Sequence, residues 1–324
     1  MYLNRFSDSL EPLDMTTLEE FESLKQSAAD LGIDVPERVR YLSRNTVLRH
    51  QRFHFLEWGE PGRPAVLLLH GGNQSAHSWD LVSLALSGEF HVLALDQRGH
   101  GDSEWSRGAH YGIDEMMQDA AAFIAAAGPE RPVVVGHSMG GMVALTLAHR
   151  QPQTLEGLVV VDVGPEVSEQ GTRMIRDFVG RNVEFDDLEE FLDRVQRYDP
   201  YRPRAHIERT VKYNLLRRAD GRYVSKNDRR RYPPPEQASA PADGARRLPG
   251  APSLAELAAL DLPTLIVRGG DSNVLEQDAA ERFAAALPRA ELTVVENCGH
   301  NVASQNTRGF LTALTPFLRR VAAP

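Results

Sequence analysis

Six short apolar runs, rich in β-branched residues, recur along the chain: Ala65–His70, Phe90–Asp96, Pro132–His137, Leu158–Asp162, Pro263–Arg268 and Leu292–Glu296. Their apolar positions are consecutive rather than alternate. That predicts strands buried on both faces, as in a parallel sheet covered by helices. Between the runs, apolar residues return at helical spacing, which predicts helices around 114–127, 139–150, 276–287 and 308–321. Strand and helix in repeated alternation is the α/β pattern, here with a mostly parallel central sheet flanked by helices.

Two segments break the rhythm. Residues 1–45 form an N-terminal extension in which Thr17 stands three residues before Glu20, the spacing of a capping box that would open a helix. Residues 164–260 then separate two strands by 97 residues, too many for a plain loop. The core is therefore expected over 46–163 and 261–324, with 164–260 as an insertion. Within the insertion, Phe178, Val183, Leu188, Phe191, Leu192 and Val195 are spaced for one helical face. Its second half, from Arg229 to Pro252, is rich in Arg, Pro and Ala and reads as a mobile connector, and residues 201–250 are expected to be less ordered than the sheet, with the order of 225–250 left open.

Length and charge narrow the picture. The chain's 324 residues suit one large α/β domain carrying an insertion. Its net charge is −9, yet residues 201–250 hold thirteen Lys/Arg against five Asp/Glu, a local +8, so the remainder carries −17. An acidic body disfavours nucleic-acid binding, which needs a broad basic footprint. The basic stretch is expected to pair with that body rather than to steer an anionic substrate. No apolar run approaches the roughly 18 residues that span a bilayer. The N-terminus, MYLNRFSDSLEPLDM, lacks the apolar core of a secretory signal, so a cytoplasmic protein is expected. The single cysteine, Cys298, excludes an internal disulfide and a cysteine-based zinc cluster.

The strongest chemical signal is Gly136-His-Ser138-Met-Gly140-Gly141, between the strand ending near Val135 and the helix carrying Val143–Leu147. In G-x-S-x-G the serine sits on a sharp strand-to-helix turn, and the glycines allow strand and helix to approach closely. A plain glycine-rich turn is the bland alternative. The dinucleotide fingerprint, G-x-G-x-x-G, does not occur there.

Together with this elbow, His70-Gly71-Gly72-Asn73, Asp96-Gln-Arg-Gly-His-Gly-Asp-Ser103 and Cys298-Gly-His300 follow successive strands. In motif order and spacing, residues 50–320 resemble the α/β-hydrolase family. The resemblance implies a hydrolase with a Ser–acid–His triad, no cofactor and no metal, and a lid where 164–260 is inserted. It implies Ser138 as nucleophile and His300 as base, with the backbone N–H groups of Gly72 and Met139 as oxyanion donors. A serine hydroxyl is a weak nucleophile at neutral pH and needs such a base.

The acid stays open between Asp271, at the commoner family position, and Asp162, used by a second branch that Val-Asp162-Val-Gly-Pro and Arg268-Gly-Gly-x-Ser resemble. Asp162 is favoured. His70, His100 and His137 lie inside glycine motifs and are read as turn-positioning residues. His50 and His54, four apart, are weak evidence for a metal. The expected partner is a small-molecule acyl substrate: a carboxylic ester, lactone, thioester or activated amide. The same triad would also serve a C–C bond hydrolase or a cofactor-free perhydrolase, and the scaffold serves some small-molecule receptors. Tyr198, Tyr201 and Tyr213 suggest apolar lid walls. The sequence leaves homo-oligomerisation open.

Overall fold

The computed structural model describes residues 15–127, 130–181, 184–231, 245–247 and 250–322. In chain order, the first half comprises α1 (Met15–Asp30), β1 (Tyr41–Leu48), β2 (Gln51–Trp58), β3 (Ala65–Leu69), α2 (Asp80–Leu86), β4 (His91–Leu95), α3 (Ile113–Ala127), β5 (Val133–His137), α4 (Met139–Arg150) and β6 (Gly157–Val161). The insertion contributes β7 (Glu166–Ser168), α5 (Glu169–Arg181), β8 (Glu184–Phe185), α6 (Leu188–Tyr198), α7 (Arg204–Val211), β9 (Leu215–Arg217), β10 (Tyr223–Ser225), β11 (Ala245–Arg247) and the short α8 (Leu254–Leu257). The chain then continues through β12 (Thr264–Gly269), α9 (Gln277–Ala286), β13 (Ala290–Val295), α10 (Val302–Gln305) and α11 (Thr307–Val321).

Eight strands form one sheet in the order β1-β2-β4-β3-β5-β6-β12-β13. The β1–β2 and β2–β4 pairs are antiparallel and the remaining pairs are parallel. The consecutive apolar runs are explained by burial on both faces. Leu67 and Leu69 join the layer formed with α3, α4 and α9, while Val66 and Leu68 join the layer formed with α1, α2 and α11. Each such buried side chain contributes about 1.5–3 kcal/mol of transfer free energy.

Three local expectations change. The sheet begins at Tyr41, so β1 crosses the anticipated boundary at 45; its alternating exposure hides it from a search for continuous apolar runs. Helix α1 starts at Met15, which puts Thr17 inside the first turn rather than at its cap. Strand β13 closes the sheet edge and is mostly half-exposed, because only one side has a strand neighbour.

The insertion is helical in its first half, but as separate pieces rather than one face; Val183 of that expected face lies outside the described residues. Asp187 caps α6 by accepting from Glu190 N–H, and Phe185, Leu192, Val195, Ile207 and Leu215 form a cluster of their own. A small sheet, β8-β10-β9, was not anticipated; strands of two or three residues carry no readable period. Basic side chains of the insertion meet acidic partners on the rest of the chain, as in Arg209–Asp80, Lys212–Glu20 and Lys226–Asp102.

The expected mobile connector needs correction at its start. Residues 225–231 are tied to the core: Trp105 Nε1 donates to Lys226 O at 2.7 Å and Asp228 N to Gly99 O at 3.0 Å. Backbone hydrogen bonding, which composition does not reveal, overrides the polar character of the stretch. Residues 232–244 and 248–249 of that expectation lie outside the described residues, and β11 between them pairs with β7.

Candidate active site

Ser138 stands between β5 and α4 with φ 51° and ψ −115°, a backbone conformation that L residues seldom adopt. The turn survives because the residues two positions away on either side, Gly136 and Gly140, carry no side chain. A Cβ on Gly140 would come within 2.3 Å of Leu69 O, and one on Gly136 within 2.2 Å of Gly140 O. The tight turn therefore holds the Ser138 side chain at the C-terminal edge of the sheet, half-buried in a cleft under the insertion.

His300 follows β13 and reaches Ser138 from the neighbouring loop. Its Nε2 lies 2.9 Å from Ser138 Oγ and its Nδ1 lies 2.8 Å from Asp162 Oδ2. Asp162, immediately after β6, is fully buried and also has a positive φ of 52°. Its carboxylate is fixed by further donors: Gly269 N–H reaches Oδ1 at 2.9 Å, and Ser272 O–H reaches Oδ2. Arg268 in turn donates to Leu275 O, Gly270 O and Ser272 O, holding the loop that carries Ser272. This accounts for Arg268-Gly-Gly-x-Ser: the serine, not the intervening aspartate, serves the site.

Asp271 is not brought to His300. Its exposed carboxylate accepts from Tyr201 O–H at 3.2 Å, while both ring nitrogens of His300 are engaged by Ser138 and Asp162. Gly72, in the loop after β3, and Met139, at the first position of α4, both line the cleft with Ser138. A residue at that helical position has no intrahelical acceptor for its N–H. The contacts among Ser138, His300 and Asp162 can polarise a serine hydroxyl.

The three histidines of the glycine motifs occupy positioning roles. His137 Nε2 donates to His300 O at 2.8 Å, and burial lowers its pKa to about 3, so the ring stays neutral. His70 donates through Nδ1 to Gly71 O and accepts Gln97 N–H at Nε2, which fixes its tautomer. His100 is likewise held neutral by burial; its Nδ1 bonds Arg98 O, and its Nε2 accepts from Arg231.

His50 is exposed at the turn between β1 and β2, whereas His54 is buried, so the two do not form a pair. His54 instead neighbours Asp96 and Asp102, whose ligand atoms lie within 4.8 Å of one another. Asp96 is filled by N–H donors from Ala76, Asp102 and His54, which makes this group a hydrogen-bond hub rather than an open metal site.

The cleft encloses about 720 Å³ and has two characters. Its lining includes apolar side chains, among them Met142, Val167, Ile175, Phe178, Val179 and Val195, and polar or charged ones, among them Asn73, Arg176, Arg202, Asn214, Asn227 and Arg231. Of the three tyrosines singled out in the insertion, Tyr198 alone is a wall residue of this cleft. Asn227 was not anticipated: its Nδ2 donates to Asn73 Oδ1 at 2.9 Å, linking the insertion to the Gly71–Asn73 loop. No periodic or motif signal marks that residue.

The profile of the α/β hydrolase fold matches residues 64–307, and the chain belongs to that family. An esterase of Mycobacterium tuberculosis is 30% identical over 310 residues, covering 92% of this chain and 95% of that protein. The 3-hydroxybutyrate-oligomer hydrolase of Cupriavidus necator is 28% identical over 257 residues, covering 77% of this chain and 87% of the relative. Among solved structures, an α/β hydrolase from Novosphingobium aromaticivorans superposes with a TM-score of 0.72 at 29% identity, covering 87% of this chain and 99% of the other. Among the described residues, no helix is long and apolar enough to cross a membrane.

Proposed function

We propose that this hydrolase of ester bonds works through an acyl-enzyme formed on Ser138. The carrying observation is the continuous line from Ser138 Oγ through His300 to the buried Asp162, at 2.9 and 2.8 Å. Asp162 keeps the His300 proton on Nδ1, leaving the Nε2 lone pair to take the serine proton as Oγ attacks the carbonyl carbon. The negative charge that grows on the carbonyl oxygen is met by Gly72 and Met139 N–H, which need no rearrangement at the moment of reaction. His300 then delivers the proton to the leaving alcohol. Water, activated by the same histidine, releases the acid.

The lining of the cleft supports a reading of the substrate class. An apolar acyl or alcohol chain fits against Met142, Ile175 and Phe178, with more polar groups facing Asn214 and Asn227. Small-molecule carboxylic esters fit this division, and lactones, thioesters and activated amides require no change in the chemistry. The relatives that hydrolyse esters support the same reading. The test is p-nitrophenyl ester hydrolysis by Ser138→Ala and His300→Ala, each expected to lose on the order of 10³-fold or more, because the residues act as a unit. A pre-steady-state burst of p-nitrophenol should accompany wild-type turnover. Purified Ser138→Ala with near wild-type rates would refute the acyl-enzyme.

A further inference from the structure

Outside the cleft, a second serine, histidine and aspartate lie in one hydrogen-bonded line. Ser43 Oγ is 2.8 Å from His54 Nε2, and His54 Nδ1 is 2.7 Å from Asp96 Oδ2. The sheet register makes this arrangement. Asn45 pairs with His54 and Ser43 with Leu56, so Ser43 and His54 are diagonal neighbours on one face of the β1–β2 hairpin. Phe55 of β2 pairs with Leu95 of β4, which sets Asp96 just beyond β4, beside His54.

The three groups differ in access as a relay requires. Asp96 and His54 are buried at 1% and 4% exposure, while Ser43 is exposed. Burial alone would push the Asp96 carboxyl up, but the hydrogen bonds it accepts from His54 and from Ala76 N–H hold it at about 2. The ionised carboxylate takes the proton-bearing Nδ1 of His54, and the Nε2 lone pair is left facing the Ser43 hydroxyl. The two distances are nearly those of the Ser138 line, 2.9 and 2.8 Å.

We propose that Ser43 is a second nucleophile, which takes an acyl group from activated esters or thioesters and retains it. Ser43 Oγ forms a bond to the carbonyl carbon as its proton passes to His54 Nε2. The tetrahedral adduct collapses, and the leaving oxygen or sulfur departs with the electron pair of its bond and the proton from His54. Ser43 sits in mid-strand, and no helix begins at the residue after it, unlike Ser138 at the start of α4. The loss of one preorganised oxyanion donor typically costs about 10²–10³-fold in rate. The acyl ester on Ser43 consequently forms slowly and is not turned over, which makes Ser43 a site of modification. This assignment stands apart from the reading of Ser138.

The experiment treats full-length Ser138→Ala with p-nitrophenyl acetate and locates the acetyl group by intact mass and peptide mapping. One acetyl per chain on Ser43 is expected, formed at least about 10²-fold faster than on an exposed serine such as Ser23, the lower end of general-base assistance. Ser138→Ala/Ser43→Ala should lose that adduct, whereas Ser43→Ala alone should keep wild-type turnover. Ser138→Ala/His54→Gln should acetylate about 10²-fold more slowly at Ser43. If circular dichroism shows the His54 variant unfolded, Ser138→Ala in concentrated guanidinium chloride replaces it, and Ser43 should there react no faster than Ser23. Equal labelling of Ser43 and Ser23 in the folded protein, or equal Ser43 labelling with and without guanidinium, would overturn the proposal.

Discussion

Replacing Asp162 by Asn preserves the shape of the side chain and inverts half of its hydrogen bonding. The native carboxylate accepts from Gly269 N–H on one oxygen, and from Ser272 O–H and His300 Nδ1–H on the other. An amide oxygen can occupy only one of those positions. If it stays toward Gly269, the NH₂ faces His300 Nδ1, the imidazole proton moves to Nε2, and the ring can no longer accept from Ser138. If it turns toward His300, the NH₂ meets the buried Gly269 N–H, and an unsatisfied donor costs about 1–3 kcal/mol. Gly269 N–H cannot rotate away, whereas Ser272 can switch from donor to acceptor, so the first orientation prevails. The expected loss of kcat is about 10³–10⁴-fold, equal to roughly 4–5.5 kcal/mol of barrier. Asp271→Asn, at an exposed carboxylate bonded to Tyr201, should stay within a few-fold of wild type. Steady-state hydrolysis of a p-nitrophenyl ester, with thermal melts to verify folding, separates the two. A folded Asp162→Asn retaining more than about a tenth of wild-type kcat, alongside an inactive Asp271→Asn, would refute the argument.

Asn227→Ala removes the bond that holds Asn73 beside Gly72; a net hydrogen bond of about 0.5–1.5 kcal/mol corresponds to a fall in kcat of about 2–10-fold with KM nearly unchanged. An unaltered kcat would show that the loop holds itself. Gly140→Ala drives a methyl group to within 2.3 Å of Leu69 O and 2.7 Å of His70 O, so it should destabilise by about 1–3 kcal/mol or more, read from urea midpoints, and an unshifted midpoint would count against it. Burial depresses His137 to about 3 from an ordinary 6.5, and lowers His70 and His100 as well. Below about pH 6.5 the unfolded chain takes up protons that these folded rings refuse, so stability is level above that pH and declines as pH falls toward about 3. Urea midpoints should therefore drop between about pH 7 and pH 5, and a flat profile over that window would contradict the assignment of neutral histidines.

The sheet and most of the site were legible because both leave local marks. Val66 to Leu69 are apolar in succession because adjacent side chains enter opposite layers, and that pattern survives translation into sequence. Ser138 was legible because its strained turn admits only glycine at nearby positions, a constraint written within a few residues. The choice between Asp162 and Asp271 was harder, since each follows a strand at the same sheet edge; what separates them is Ser272 and Gly269 N–H, more than 100 residues from Asp162 in the chain. β1 was missed because an edge strand with alternating exposure resembles a polar segment. Asn227 and the strap from Ser225 to Arg231 were missed for another reason. Their structure comes from partners such as Gly99, Trp105 and Asn73, and composition carries no trace of those contacts.

The charge asymmetry shows the same division between local sequence and tertiary context. A local +8 over 201–250 reads as a solvated stretch, and many of its ion pairs are exposed, including Arg204 with Glu189 and Arg218 with Asp220. Such pairs contribute about 0–1 kcal/mol each and weaken with salt. Arg209 and Asp80 differ, because at 8% and 4% exposure they meet at 2.9 Å between α7 and α2. His77 shares the same Asp80 oxygen, and Tyr213 stacks on His77 with ring centroids 3.5 Å apart. A buried pair is barely favourable against an apolar substitute, but it is costly to leave half-made. Beside the bonds that tie residues 225–231 to the core, the insertion is therefore held less by its many surface charges than by desolvated contacts such as this one, which tolerates few alternative positions. That contact fixes the register of α7, and with it the wall that Thr210 and Asn214 present to the cleft above Ser138.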